Sequence, residues 1–141
     1  MIKKLLHPGK YGLKVNLAIF ILRVGVGLFM FTHGWGKMIN LFSEGSVKFA
    51  DPFGIGALAT LALVVFAEIF CSFLLIIGLF TRFAAIPLMT TMLVAAFIIH
   101  ADDPFSGKEM ALLYLLIYIA IFITGSGQFG ADKFVHAKVK S

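Results

Sequence analysis
The chain has 141 residues, 60% of them hydrophobic and only 13% charged, with a formal net charge of +5. A soluble domain carries roughly 25% charged residues, so this composition, with a mean hydropathy of +1.00, excludes an ordinary water-soluble globule and points to a membrane. One membrane domain over residues 1–141 uses the whole length, and any large cofactor-binding fold is expected to come from a partner.

Taken from the N-terminus, a tail with Lys3, Lys4, Lys10 and Lys14 leads into a first apolar span, about residues 15–32. Arg23 interrupts this span. Asn16, Arg23, Met30 and Lys37 recur at heptad spacing, with Gly27 and Gly34 between them. They mark one narrow face where small residues permit close helix approach. The span is read as a retained helix rather than a cleaved signal peptide. Arg23 breaks the apolar core, and His33, Trp35 and Lys37 stand where small residues would mark a cleavage site. The connection at residues 38–54 carries Phe42, Phe49 and Phe53, and a short interfacial helix is expected there, with Trp35 as a headgroup-level anchor.

The second span covers about residues 55–80 and has Glu68 near its middle, on a face with Leu61, Ser72 and Leu75. A very short turn at Thr81–Arg82 makes the third span, about residues 83–100, its antiparallel neighbour. Pro87 is expected within about the first turn of that span, where a missing N–H costs little. The fourth span, about residues 110–124, carries Tyr114 and Tyr118. Each span approaches the roughly 20 residues that cross a bilayer as a helix, and only helices or closed barrels satisfy their backbone in lipid. Asp51-Pro52 before span two and Asp103-Pro104 before span four read as helix starts, Asp capping and Pro opening the helix.

The expected fold is all-α: a transmembrane four-helix bundle, up-down-up-down. Lys and Arg cluster in the two tails and at Arg82, whereas the other loops set Lys37, Lys48 and Lys108 against Glu44, Asp51, Asp102, Asp103 and Glu109. Both termini are therefore expected to be cytoplasmic and the acidic loops outward. The basic tails suit anionic lipid headgroups, so the lipid bilayer, not nucleic acid, accounts for the positive charge.

A charge within hydrocarbon costs about 2.5–3.5 kcal/mol on insertion scales and usually faces a bundle interior. Counting 1.5 Å per residue, Arg23 lies roughly 12 Å and Glu68 roughly 17 Å above the inner boundary. A direct or bridged Arg23–Glu68 contact is within reach, either as a structural pair fixing register or as a binding or proton-handling site. A second polar cluster is expected at the outward mouth, from His33, Lys37, His100, Asp102, Asp103 and Glu109. Glu109 and Asp103 also have simpler readings, as helix-dipole partner and cap. Tyr114 and Tyr118 can present hydroxyls to the same interior.

Cys71 is the only cysteine, which excludes dithiol chemistry within one chain. No haem-attachment, phosphate-loop or dinucleotide motif is present. A bis-histidine haem on His33 and His100, or copper(I) on Met30, Met89 and Met92 with these histidines, is disfavoured, and no metal site is assigned.

Several of these residues carry a family resemblance. Arg23, Gly27, Phe29, His33, Gly34 and Lys37 on span one, Glu68, Gly78, Thr81 and Arg82 around span two, Glu109 and Tyr114 on span four, and Gly125, Gly127 and Asp132 beyond it resemble the DoxX family of small four-helix membrane proteins. Ser126 stands where that family often has proline, and Gly130 where it often has serine. The resemblance implies a four-helix membrane fold and redox physiology, since some relatives are described as membrane subunits of a thiosulfate:quinone oxidoreductase and others as partners of oxidative-stress enzymes. The expectation is an integral protein of the plasma (inner) membrane, a subunit of a redox assembly acting with other membrane or redox proteins or as a homo-oligomer, and lining a quinone-accessible cavity. Any enzyme activity would then be quinone-linked and dependent on partner subunits. Glu68→Gln or Arg23→Ala is expected to stop quinone-dependent electron flow without affecting insertion. The alternatives are an oligomeric permeation protein for a small solute or proton, and a non-catalytic membrane scaffold.

Overall fold
A computed structural model describes residues 7–140. Lys3 and Lys4, which enter the orientation argument, lie outside the described residues, as does the side chain of Lys140. The described residues form helices and no strands: α1 (Leu13–Leu41), α2 (Ala57–Ile77), α3 (Thr81–Ile99), α4 (Phe105–Thr124) and α5 (Asp132–Lys140). The first four are long and apolar enough to cross a membrane, with 29, 21, 19 and 20 residues. The protein is thus a multi-pass integral membrane protein.

Two helices contain wide turns. Phe66–Cys71 in α2 and Ala95–Ile99 in α3 are π-helical. Such segments insert a residue into a turn and recur at functional sites.

The heptad face of α1 is the buried one: Asn16, Arg23, Met30 and Gly34 are all inside, with Ile19, Val26 and Gly27 beside them. Arg23 meets Leu75 and Ile76, Gly27 meets Ser72 and Ile76, and Gly34 meets Glu68 and Ile69, so contact positions descend α2 as they climb α1. In lipid, helix association depends on close packing rather than on hydrophobic transfer, and Gly34 supplies it. A Cβ there would lie 2.8 Å from Cβ of Glu68 and 3.0 Å from the Ile69 side chain. Leu75, Leu88, Ala85 and Tyr118 form the fully enclosed centre where α2, α3 and α4 meet. Large residues such as Phe29, Phe73, Leu116 and Ile123 are at least half exposed and face lipid.

Several boundaries differ from expectation. Span one continues as helix to Leu41, and residues 42–56 contain no helix, so the interfacial helix is absent. Trp35 instead projects from α1, half exposed and stacked on Phe31 at 6.0 Å. Helix α4 begins at Phe105 rather than near Met110, which places Glu109 beyond its first turn. Helix α3 begins at Thr81, so Pro87 lies in its interior rather than at its start. The proximate cause is Asp132: its carboxylate accepts the N–H groups of Phe80 (2.6 Å) and Thr81 (3.2 Å), satisfying donors that an uncapped start would leave bare.

Asp132 belongs to a polar lock at this end of the bundle. The carbonyls that close α2 have no partners within the helix, and each is used. Gly78, at φ +71°, permits the N–H groups of Gly78 and Leu79 to turn back onto the Leu74 carbonyl at 2.9 and 3.0 Å. Arg23 donates to the carbonyls of Leu75 (2.6 Å) and Ile76 (2.5 Å). The N–H groups of Ala131 and Asp132 take the carbonyls of Ile77 and Gly78. Arg82 closes α4 in the same way, donating to the carbonyls of Phe122 (2.9 Å) and Ile123 (3.2 Å). Asn16 accepts from the Gln128 N–H at 2.9 Å, so α1 holds the same segment. A spanning structure must satisfy its backbone internally, and here two arginines do so at two helix ends.

Candidate functional site
The opposite end of the bundle is open. A cavity of 460 Å³ lies among α1, α2, α3, the start of α4 and the loop around Phe49–Pro52, with His33, Lys37, Glu68, His100 and Tyr114 as its chemically active lining. The rest of the wall is mostly apolar, including Met30, Met92, Ile99 and Met110. Both π-helical segments contribute: Glu68 stands in the first, and Ala95 and Ile99 in the second.

Glu68 is 2% exposed, and its Oε1 is 2.5 Å from Nζ of Lys37. The Lys37 side chain is 34% exposed, so this cation reaches down from the mouth to a carboxylate inside. Oε2 of Glu68 is buried with no hydrogen-bond partner, and so is the Tyr118 hydroxyl. An unpaired buried carboxylate oxygen is costly, and this one is enclosed behind the cavity wall to which Glu68 belongs. Tyr114 stacks on Tyr118 at 6.1 Å, and His33 meets the Tyr114 ring edge-on at 5.9 Å. Of the expected site residues, the structure gathers His33, Lys37, Glu68, His100 and Tyr114 around one space, with Tyr118 buried directly behind.

The remaining candidates separate from it. Arg23 does not contact Glu68. It sits fully buried at the locked end, on backbone carbonyls, with Asp132 as opposing charge. The height count placed the two residues within about 5 Å, whereas Glu68 lies level with Gly34, eleven residues or about 16 Å along α1 from Arg23. Arg23 instead meets the C-terminus of α2, where the helix dipole is negative. Asp103 does not cap α4. Its carboxylate is 2.6 Å from Nδ1 of His100, the link that fixes His100 at the mouth. Asp102 and Glu109 are exposed and outside the cavity wall. Asp51 does not cap α2 directly, because the helix begins six residues later. Its carboxylate accepts from Gly56 N–H (2.7 Å), Ile55 N–H (3.1 Å) and the Thr60 hydroxyl (2.9 Å). The Gly56 bond foremost, with the others, holds this carboxyl below its ordinary range and ties the Phe49–Pro52 wall to α2. Met30 and Met92 line the cavity with His33, whereas Met89 packs against the core. Among the described residues, no three His, Cys, Asp or Glu side chains cluster as metal ligands.

The sequence reading missed two features. The π-helical turns leave no mark in composition. Asp132 could have been found as an acid just beyond the last span, although its two N–H partners lie about fifty positions earlier.

Gly34→Ala provides a direct probe of this geometry. The added methyl must push Glu68 and Ile69 away from α1, so the Lys37–Glu68 pair is expected to lengthen and the protein to lose about 1–3 kcal/mol. Thermal unfolding in detergent measures the loss; an unchanged midpoint would show that α1 and α2 separate at no cost.

A family model described as DoxX matches residues 18–101, which include Arg23, His33, Lys37, Glu68 and His100. The chain is similar to two Haemophilus influenzae proteins, each described only as an uncharacterized protein. One is 29% identical over 131 residues, covering 88% of this chain and 87% of the relative. The other is 31% identical over 121 residues, covering 79% and 85%. No solved structure matches the chain.

Proposed function
The chain belongs to the DoxX family, and from that premise we propose that it is a membrane subunit of a redox assembly whose open end receives the ring of a lipid-soluble quinone. The observation that carries this reading is Glu68: a buried carboxylate with one oxygen on Lys37 and the other unsatisfied, at the wall of a largely apolar cavity. Binding sites for apolar ligands typically combine such walls with a few convergent polar groups. Reduction of a quinone to a quinol takes two electrons and two protons. The electrons come from a partner redox protein. Lys37 Nζ donates to the near quinone oxygen, Glu68 passes that oxygen one proton and then accepts the quinol O–H, and the second proton reaches the far oxygen from water at the mouth beside His33 and His100. Tyr114, beside both, supplies a flat face for the ring.

In this reading the bundle runs up-down-up-down in the plasma (inner) membrane, both termini cytoplasmic. The lock of Arg23, Arg82 and Asp132 then lies at the cytoplasmic side and the cavity at the outer side. Electron flow from a reduced partner to quinone in native membranes tests the proposal. Glu68→Gln is expected to abolish it at normal protein abundance. Normal flow in that variant would overturn the cavity's role, and quinone-independent proton flux in liposomes that depends on Glu68 would replace the redox reading with permeation.

A further inference from the structure
Beside the first cavity lies a second, of 390 Å³, between α2 and α3. Pro52, Thr60, Val64, Thr91 and Val94 line both, so the two share a wall. No charged side chain lines the second. Its three threonines have protein acceptors for their hydroxyl hydrogens: Thr60 donates to Asp51 (2.9 Å), Thr90 to the Ile86 carbonyl (3.0 Å) and Thr91 to the Pro87 carbonyl (2.9 Å). What remains is methyl, methylene and ring surface. At its edge, Leu63, Phe66 and Ile86 are 61%, 48% and 44% exposed, on helix faces that lie against the bilayer. The wide π turn beginning at Phe66 and the interior Pro87 both stand on this cavity, where regular helix packing is interrupted.

We propose that the second cavity holds the ring-proximal isoprenoid units of the quinone whose ring occupies the first, and that the cleft between α2 and α3 is the lateral route by which the molecule arrives from the bilayer. The inference rests on the quinone reading. Two adjoining spaces, one with polar groups and one without, fit a ligand with a polar head and a single apolar chain. Charge argues that the head is uncharged: Lys37 is already neutralised by Glu68, and His100 is engaged by Asp103. A phospholipid phosphate would meet no unpaired Lys or Arg in either lining.

Photolabelling tests this with the full-length protein in phosphatidylcholine nanodiscs. Two quinone probes are used, one with a diazirine on the ring and one with it on the second isoprenoid unit of the tail, each with and without excess unlabelled quinone. The expected result is competable tail labelling on Phe66, Ile86 and their neighbours, with ring labelling near Tyr114. Val94→Trp, in the shared wall, is expected to reduce tail labelling several-fold at those residues. The wild-type map decides the question even if that variant folds poorly. Competable ring labelling with tail labels spread over other lipid-facing residues, such as Leu116 and Ile123, would overturn the tail route and leave the quinone reading standing. Labelling that excess quinone does not compete at either position would overturn both.

Discussion

Lys37→Met is expected to destabilise the protein by about 2–3 kcal/mol. Removing one partner of a buried ion pair typically costs about 3–5 kcal/mol, and the one-third exposure of Lys37 reduces that through solvent screening. The loss comes mainly from Glu68, whose two oxygens would then both lack a partner. Lys37→Met combined with Glu68→Met should recover most of it, because replacing both members of a buried pair with apolar groups of similar size is often neutral or better. The double variant should nevertheless show no quinone-dependent electron flow, which separates stability from function. Thermal unfolding in a mild detergent reads the first quantity and membrane assays the second. If Lys37→Met alone unfolds at the wild-type temperature, the pair contributes nothing to the fold; if the double variant retains electron flow, the pair is not the ligand site.

Arg23→Met is expected to cost more, about 3–5 kcal/mol. Hydrogen bonds from a charged donor contribute about 1.5–3 kcal/mol each, and Arg23 makes two short ones to the carbonyls that close α2. Both carbonyls would be left without these donors at the bundle's inner seam. Arg23→Lys should fall between, since a single ammonium cannot reproduce the guanidinium fork. Charge exchange discriminates the two possible partners of Glu68. Lys37→Glu with Glu68→Lys should restore part of the stability lost in either single variant, whereas Arg23→Glu with Glu68→Arg should restore none. Recovery by the second exchange would mean that Arg23 and Glu68 face one another after all. These expectations revise the reading in which Arg23 substitution stops electron flow with insertion intact: loss of Arg23 acts on the bundle first and on the cavity only as a consequence.

The inward face of α1 was legible because heptad spacing survives folding. Asn16, Arg23, Met30 and Gly34 lie one above another whatever the neighbouring helix is. Gly34 was legible for a similar reason, as a small residue on a contact face. The grouping of His33, Lys37 and His100 followed from their shared height at the ends of two spans. What could not be read was which of two basic residues on the same face would take Glu68. The register of α1 against α2 decided between them: Gly34 lies against Glu68, so Lys37 is three residues from its level and Arg23 eleven, at an unsatisfied helix end. The departure at Gly130 has a local explanation. A Cβ at Gly130 would collide with Cβ of Ser126 and lie 3.1 Å from the Gly78 carbonyl, so position 130 takes glycine here; proline would carry the same Cβ, and the serine at 126 has no structural explanation.

By itself, the sequence determined membrane residence, four helical crossings and the polar residues that must avoid lipid, because these depend on composition and on a period of 3.6 residues, both local. The tertiary structure decided the division of labour between the two ends. One end is a lock in which Arg23, Arg82 and Asp132 satisfy backbone groups from helices distant in sequence. The other is a cavity opened beside two π-helical turns and closed by a loop tied to Asp51. Hydrogen-bond partners, helix widening and cavity walls depend on how several helices meet, and that relation exists only once the chain has folded.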